Sequence, residues 1–275
     1  MEKQRIFVST SNFKSKYENN LNKILESGIE GYDFLEIASG HKTDNFSLQL
    51  IKEKIREGKK VLFHNYSFSE EDNLMLNLCE EDAIKRKKII EYIKQMIILT
   101  KEIGEDYYSI HGGFYPKKLD EKSKEIYNNI FLESLDEIVD FAQDNKVYLG
   151  VENHVVERQN IDRLFLFNKL QYGDLFHKIK SPYLKLHLDV GHLKVTSKTY
   201  NFDPLAFINK LSDKIMTVHL HDNNGLVDLH GKFDEEAYFL TALKGIKGIK
   251  NIVIETWDQD KTYLNKMIRS VKNVL

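Results

Sequence analysis

Seven short apolar runs in this 275-residue chain end on a side chain that can hold a cation or carry a proton. They are Phe34-Leu35-Glu36, Leu62-Phe63-His64, Ser109-Ile110-His111, Gly150-Val151-Glu152, Leu186-His187-Leu188-Asp189, Thr217-Val218-His219 and Val253-Ile254-Glu255. Carboxylates and imidazoles are the donors a divalent ion prefers. Alternation along a strand tests whether these groups point the same way. Val218 and Leu220 share a face opposite His219 and His221. The same split separates Leu184, Leu186 and Leu188 from Asp189, and Ile252 and Ile254 from Glu255. It also separates Tyr108 and Ile110 from His111, and Leu149 and Val151 from Glu152. The aliphatic faces are expected to pack outward, and the ligand-type residues to face one axis at similar depth. Four acids and three imidazoles packed together without a cation would repel one another and lose their hydration. A divalent-metal site is the expected chemistry. His192, three residues after Asp189, and the pair Asp228 and His230 add further donors.

Runs that end alike need elements that bring their ends together. Apolar stretches begin near Ile6, Phe34, Val61, Tyr107, Tyr148, Leu184, Met216 and Asn251. Helix-like segments separate them. Tyr17 to Ser27 carries Leu21, Ile24 and Leu25 at helical spacing. Glu81 to Ile103 and Lys124 to Ala142 are longer amphipathic stretches, Asp203-Pro204 opens another as cap and first residue, and Phe233 to Leu243 and Lys261 to Val274 follow. Eight strand–helix repeats predict an α/β fold, a single (β/α)8 TIM barrel over residues 1–275, whose usual size is about 250 residues. An open doubly wound sheet would call for a glycine-rich loop after the first strand. That strand instead reads Val8-Ser9-Thr10-Ser11-Asn12. In a barrel the active site forms at the C-terminal strand ends, where the donors fall.

Composition narrows the partners. Lys and Arg (40) nearly cancel Asp and Glu (42), leaving a net charge of -2. A duplex-binding groove needs surplus cations, so nucleic acid is disfavoured. The run Lys85-Arg86-Lys87-Lys88 reads as a solvated helix face. The single Cys79 excludes a disulfide framework within the chain and fits a reducing compartment. No run has the roughly 18 apolar residues of a membrane span, and Met1 to Thr10 carries no export signal. A cytoplasmic location is expected, with a homo-oligomer allowed.

The motifs Val151-Glu152-Asn153-His154, Leu188-Asp189-Val190-Gly191-His192, His219-Leu220-His221-Asp222-Asn223 and Ile254-Glu255-Thr256-Trp257 resemble the xylose isomerase-like barrel superfamily of sugar isomerases, epimerases and endonuclease IV. The resemblance covers nearly the whole chain. His64-Asn65-Tyr66, Leu76-Asn77-Leu78 and Tyr108 to Phe114 also resemble a subgroup labelled sugar phosphate isomerase/epimerase. In the sugar branch the resemblance implies one ion (Mn2+, Mg2+, Co2+ or Zn2+) on Glu152, Asp189, His219 and Glu255. In the endonuclease branch it implies up to three, adding His64, His111 and Glu152 for a second and His192, Asp228 and His230 for a third. His221 departs from the endonuclease pattern, and the choice of His219 over His221 as ligand rests on the H-x-x-D spacing.

The function expected first is a divalent-metal-dependent sugar or sugar-phosphate isomerase or epimerase, acting by proton transfer next to a metal-bound carbonyl. Glu152 and Glu255 would move the proton. His192, Arg158, Trp257, Glu36, Tyr66 and Phe114 would bind the substrate, a small sugar or sugar phosphate. The alternative is a multi-metal zinc phosphodiesterase of the endonuclease IV type acting on abasic DNA. The ligand set supports that reading and the charge balance opposes it. A scaffold with a degenerate site is a third, opposed by the intact donors.

Overall fold

In the computed structural model the eight apolar runs form eight parallel strands: β1 (Arg5–Ser9), β2 (Phe34–Ile37), β3 (Lys60–His64), β4 (Tyr107–His111), β5 (Tyr148–Glu152), β6 (Leu184–Asp189), β7 (Ile215–Leu220) and β8 (Asn251–Ile254). Each begins within one residue of its expected start. The structure describes residues 4–42, 46–65 and 76–275; Tyr66 lies outside them. Every strand pairs with its neighbours in chain order, and β1 closes on β8. The continuous apolar runs follow from burial on both sides, as parallel sheets require.

The described helices are α1 (Leu21–Lys23), α2 (Ser47–Arg56), α3 (Ala83–Glu102), α4 (Glu121–Asn145), α5 (Lys169–Lys178), α6 (Val190–Tyr200), α7 (Pro204–Leu211), α8 (Tyr238–Leu243) and α9 (Lys261–Val274). The helix expected over Tyr17 to Ser27 starts late. Asn20 caps it by accepting from the Lys23 amide, and Glu18 and Asn19 turn through the left-handed region first. A π-helical turn, Ile24–Gly28, follows. The segment expected from Phe233 is helical only from Tyr238, leaving Phe233 in a loop. α2, α5 and α6 were not individually legible in the sequence. Among the described residues no helix is long and apolar enough to cross a membrane.

Outward-facing aliphatics such as Leu35, Ile110, Val151, Leu186, Val218 and Ile254 are buried in one cluster with the helices. The barrel floor is a separate apolar plug of Phe7, Leu62, Tyr107, Met216 and Val253. Gly150 makes room for it: a Cβ there would sit 1.9 Å from the Tyr107 hydroxyl oxygen.

Alternate strands supply four side chains to each layer of a barrel interior. Tracing the pairing around the barrel gives three layers, the lowest of which shares Val253 with the plug. Glu36, Ser109, His187 and Val253 form the lowest. Ser9, His64, Glu152 and His219 form the next, and Ala38, His111, Asp189 and Glu255 the uppermost. The expectation of one common depth is therefore corrected. The strands are staggered, so the seven donors occupy three successive layers, with Glu36 at the bottom.

Candidate metal centre

The upper two layers bring the donors together. His219 Nδ1 lies 2.8 Å from Glu255 Oε2, 3.3 Å from Glu152 Oε1 and 3.7 Å from Asp189 Oδ2. It nevertheless has no hydrogen-bond partner, and neither has Glu152 Oε1, although both are buried. Beneath it, His219 Nε2 is 2.8 Å from Glu36 Oε2. Nε2–H donated to a carboxylate leaves the Nδ1 lone pair aimed upward, the usual arrangement behind a metal-bound imidazole. Glu36, expected at the substrate, is instead 1% exposed in the layer below. It fixes the tautomer of His219.

A second group shares Glu152. His64 Nε2, His111 Nε2 and Glu152 Oε2 are 3.0, 3.1 and 3.3 Å apart. Donors about 2.0–2.1 Å from one ion at the tetrahedral angle are separated by about 3.3 Å. The spacing of this trio therefore fits a shared cation, and packing it without one would be costly. A third group lies toward the solvent. His230 Nε2 is 2.9 Å and His192 Nε2 3.3 Å from Asp228 Oδ2. His192 Nδ1 donates to the Asn153 carbonyl and His230 Nδ1 to the Glu255 carbonyl, so both Nε2 atoms are free to ligate. His230 is held there with a left-handed backbone, φ 42.

His221 lies within 4.8 Å of this third group by its donor atom, but its orientation sets it apart. Its ring is 3.8 Å from that of His230 and within 10° of parallel. Imidazole lone pairs lie in the ring plane, so the two run side by side and do not converge on one ion. His221 Nε2 instead sits 3.0 Å from the Asp189 carboxylate. Asp189 also caps α6, accepting from the His192 amide at 2.7 Å. Gly191 leaves the space for His221: a Cβ there would meet the imidazole at 1.9 Å. Trp257 stacks on the other face of His230 at 4.3 Å, so His230 is sandwiched between two rings.

Without a cation these charges compensate one another. Burial alone would raise the Glu152 carboxyl, but His64, His111 and His219 outweigh it and hold it well below the usual range. Asp189 and Glu255 are lowered in the same way, by His192 and His221 and by His219 and His230 respectively. His219 and His192 rise well above an ordinary histidine, because nearby carboxylates overcome the cost of burying the charge. His187 in the lowest layer behaves oppositely. Burial dominates and keeps it neutral, with both ring nitrogens unpartnered.

A cavity of about 250 Å³ opens above the centre, lined by His64, His111, Glu152, His192, Asp228, His230, Glu255 and Trp257. Of the residues expected at the substrate, His192 and Trp257 face this cavity. Phe114 and Arg158 are not among the lining residues: Phe114 is half-buried and bridged to Leu164, and Arg158 is exposed on the β5–α5 loop. Three polar lining residues had no role assigned from sequence: Lys14, Ser39 and His154. His154 accompanies Glu152 in a quoted motif. Burial lowers its imidazole to about 4, so it is neutral, and its Nε2 has no hydrogen-bond partner.

Comparison with known proteins places this geometry. A family model described as xylose isomerase-like TIM barrel matches residues 26–273. An uncharacterised protein of Methanocaldococcus jannaschii is 29% identical over 178 residues, 63% of this chain and 57% of the relative's length. A D-tagatose 3-epimerase-like protein superposes with a TM-score of 0.76 at 23% identity, covering 98% of this chain and 99% of its own. A family 2 AP endonuclease from Brucella melitensis superposes with a TM-score of 0.69 at 14% identity, covering 95% of this chain and 96% of its own. At these identities the two structures share the fold.

Proposed function

Because the chain belongs to the xylose isomerase-like TIM-barrel family, we propose that it is a divalent-metal-dependent sugar isomerase or epimerase. One observation carries the reading. Glu152 and Glu255 reach the same His219 nitrogen from different strands, line the same small cavity, and are both held ionised. Two carboxylates at one cavity are a pair of proton acceptors. The cavity is below the roughly 300–1,000 Å³ of drug-sized sites, which suits a monosaccharide. An ion there (Mn2+, Mg2+, Co2+ or Zn2+) would supply Lewis acidity, polarising a ligand carbonyl and acidifying the neighbouring C–H.

The chain's own groups then divide the work. One of the two glutamates takes the proton from carbon. If the other returns a proton to the opposite face, the centre is inverted and the reaction is an epimerisation. If the first returns its proton to the adjacent carbon, and the hydroxyl proton passes to the former carbonyl oxygen, the product is an isomer. His192, with Nδ1 fixed on the Asn153 carbonyl, offers Nε2 to a substrate hydroxyl. Trp257 supplies an apolar wall. The test is hydrogen exchange: protein loaded with Mn2+ or Co2+ should incorporate solvent deuterium into at least one of a panel of ketoses and ketose phosphates, and E152Q and E255Q should each lose it. Absence of exchange across the panel ends this reading.

A second reading, a zinc phosphodiesterase of the endonuclease IV type, draws on one specific observation: the second and third donor groups are also assembled. Three ions, when bound, would supply the charge for phosphodiester hydrolysis. Close to three tightly held ions per chain and nicking of duplex with an abasic site would favour it over the first.

A further inference from the structure

The donor layers are lopsided. In the upper two layers the metal-ligand candidates come from β3 through β8, whereas β1 and β2 contribute Ser9 and Ala38 there, and Glu36 of β2 lies a layer lower. The cavity wall on that side is made by Lys14, Ala38 and Ser39, following β1 and β2. In the closed barrel β1 and β2 lie opposite β5 and β6, which carry Glu152, His154, Asp189 and His192. A ligand seated on the centre therefore extends its far end toward Lys14 and Ser39.

Among the described residues Lys14 is the only ammonium or guanidinium lining this cavity, with twelve other side chains that include three carboxylates and five imidazoles. Among the described residues its Nζ forms no ion pair and no hydrogen bond, and the Ser39 hydroxyl has none either. A lysine that shares the cavity with Glu152, Glu255 and Asp228 and pairs with none of them is available to another anion. Its base is fixed, since the Lys14 amide donates to the Ser11 carbonyl and the Lys14 carbonyl accepts from the Asn19 amide. The neighbouring cation-capable group, His41, is locked as a neutral imidazole: Nδ1 donates to Asn19 Oδ1 and Nε2 accepts from the Thr10 hydroxyl, each at 2.8 Å. So the charge on this wall is one ammonium beside one hydroxyl.

We propose that the substrate carries an anionic group, a phosphate or a carboxylate, at the end remote from the metal centre, bound by the Lys14 ammonium and the Ser39 hydroxyl. This rests on the sugar chemistry proposed above and narrows it to acidic or phosphorylated ketoses. Charge-assisted hydrogen bonds to such an anion are shorter and stronger than those to a neutral hydroxyl. A lysine serves here as a point charge with three donors rather than as a fork.

The test is calorimetric titration of Mn2+-loaded protein with D-fructose, D-fructose 6-phosphate and D-fructuronate. Wild-type protein should bind at least one acidic ligand about tenfold or more tightly than the neutral sugar. K14M should bring the ratio to within about twofold, S39A should reduce it by less, and K14R, which keeps the charge, should retain most of it. Thermal melts of the variants check folding, and the ratio within each protein cancels any general loss of affinity. Which acidic ligand shows the preference distinguishes phosphate from carboxylate. Equal binding of neutral and acidic ligands by the wild type overturns the inference and leaves the sugar chemistry standing. So does a preference that survives K14M, which would locate the anion on the metal. If none of the three ligands binds, while abasic duplex does, the sugar reading itself fails and takes this inference with it.

Discussion

Glu36 is the position where removal of a charge should weaken metal binding without touching a ligand. Its carboxylate is 2.8 Å from His219 Nε2, with the two side chains 1% and 0% exposed, and it has no path to an ion above His219. E36Q keeps the size and an acceptor oxygen but deletes the charge that makes His219 a better donor. Loss of such a supporting partner typically weakens metal binding 10–100-fold, about 1.4–2.7 kcal/mol. The metal-free protein should be weakened as well. There Glu36 is the foremost of the carboxylates that keep His219 charged, and removing one partner of a buried pair costs stability. Metal affinity is measured by competition with a chromophoric chelator, and stability by thermal melts in excess chelator. The expected pattern is weaker metal binding with a lowered metal-free melting temperature. Metal binding equal to wild type would refute the assignment of Glu36 as the group orienting His219. A metal-free melting temperature at or above wild type would refute its pairing with a charged His219.

Three further outcomes are expected. A divalent ion at 100 times its dissociation constant should stabilise the protein by about 2.7 kcal/mol, or roughly 5–10 °C in melting temperature; no shift with any of Mn2+, Co2+ or Zn2+ would contradict a built site. Trp257 is the chain's single tryptophan and stacks on His230, so paramagnetic Co2+ should quench its emission. D228N should abolish the component that belongs to the third donor group, and quenching identical in D228N would show that this group does not fill. Burial, with the Lys14 ammonium nearby, lowers His41 to about 3, against about 6.5 in the unfolded chain. The folded state thus binds fewer protons between these values, and stability falls as pH falls through them, by up to roughly 2–3 kcal/mol at pH 4.5. H41Q, which does not titrate, should show a shallower loss in metal-free melts between pH 7 and 4.5; parallel curves would refute this.

The strands were legible because each is buried on both faces and reads as an unbroken apolar run, and the donors were legible because alternation fixes which residues look inward. Depth was not. It depends on the stagger between strands, which no single run encodes, so Glu36 read as a mouth residue although Ser9 and Leu62 are its partners in register. His187 shares the parity of Asp189 in Leu186-His187-Leu188-Asp189, and applying the alternation rule to it would have placed it inside the barrel. α6 was hidden for a different reason. Asp189 is both a donor and the helix cap, and Gly191, unfavourable within a helix, is retained to admit His221. Lys14 and Ser39 follow strands whose ends carry no donor in the upper layers, so nothing in their local sequence drew attention to them. The direction of a loop, as at Arg158 and Phe114, is set by packing with other loops and has no local signature.

Closure of β1 on β8 has a consequence for how the protein is made. The four donors around His219 Nδ1 come from β5 to β8, and Glu36, which orients it, from β2. While the chain is emerging from the ribosome it offers an ion only isolated acids and imidazoles, whose grip is weak and unselective. The full set of donors exists only after Glu255 has arrived and the ring of strands has shut. An ion held by this set would therefore load only when synthesis and folding are nearly done, and its retention would report that the ring of strands is closed.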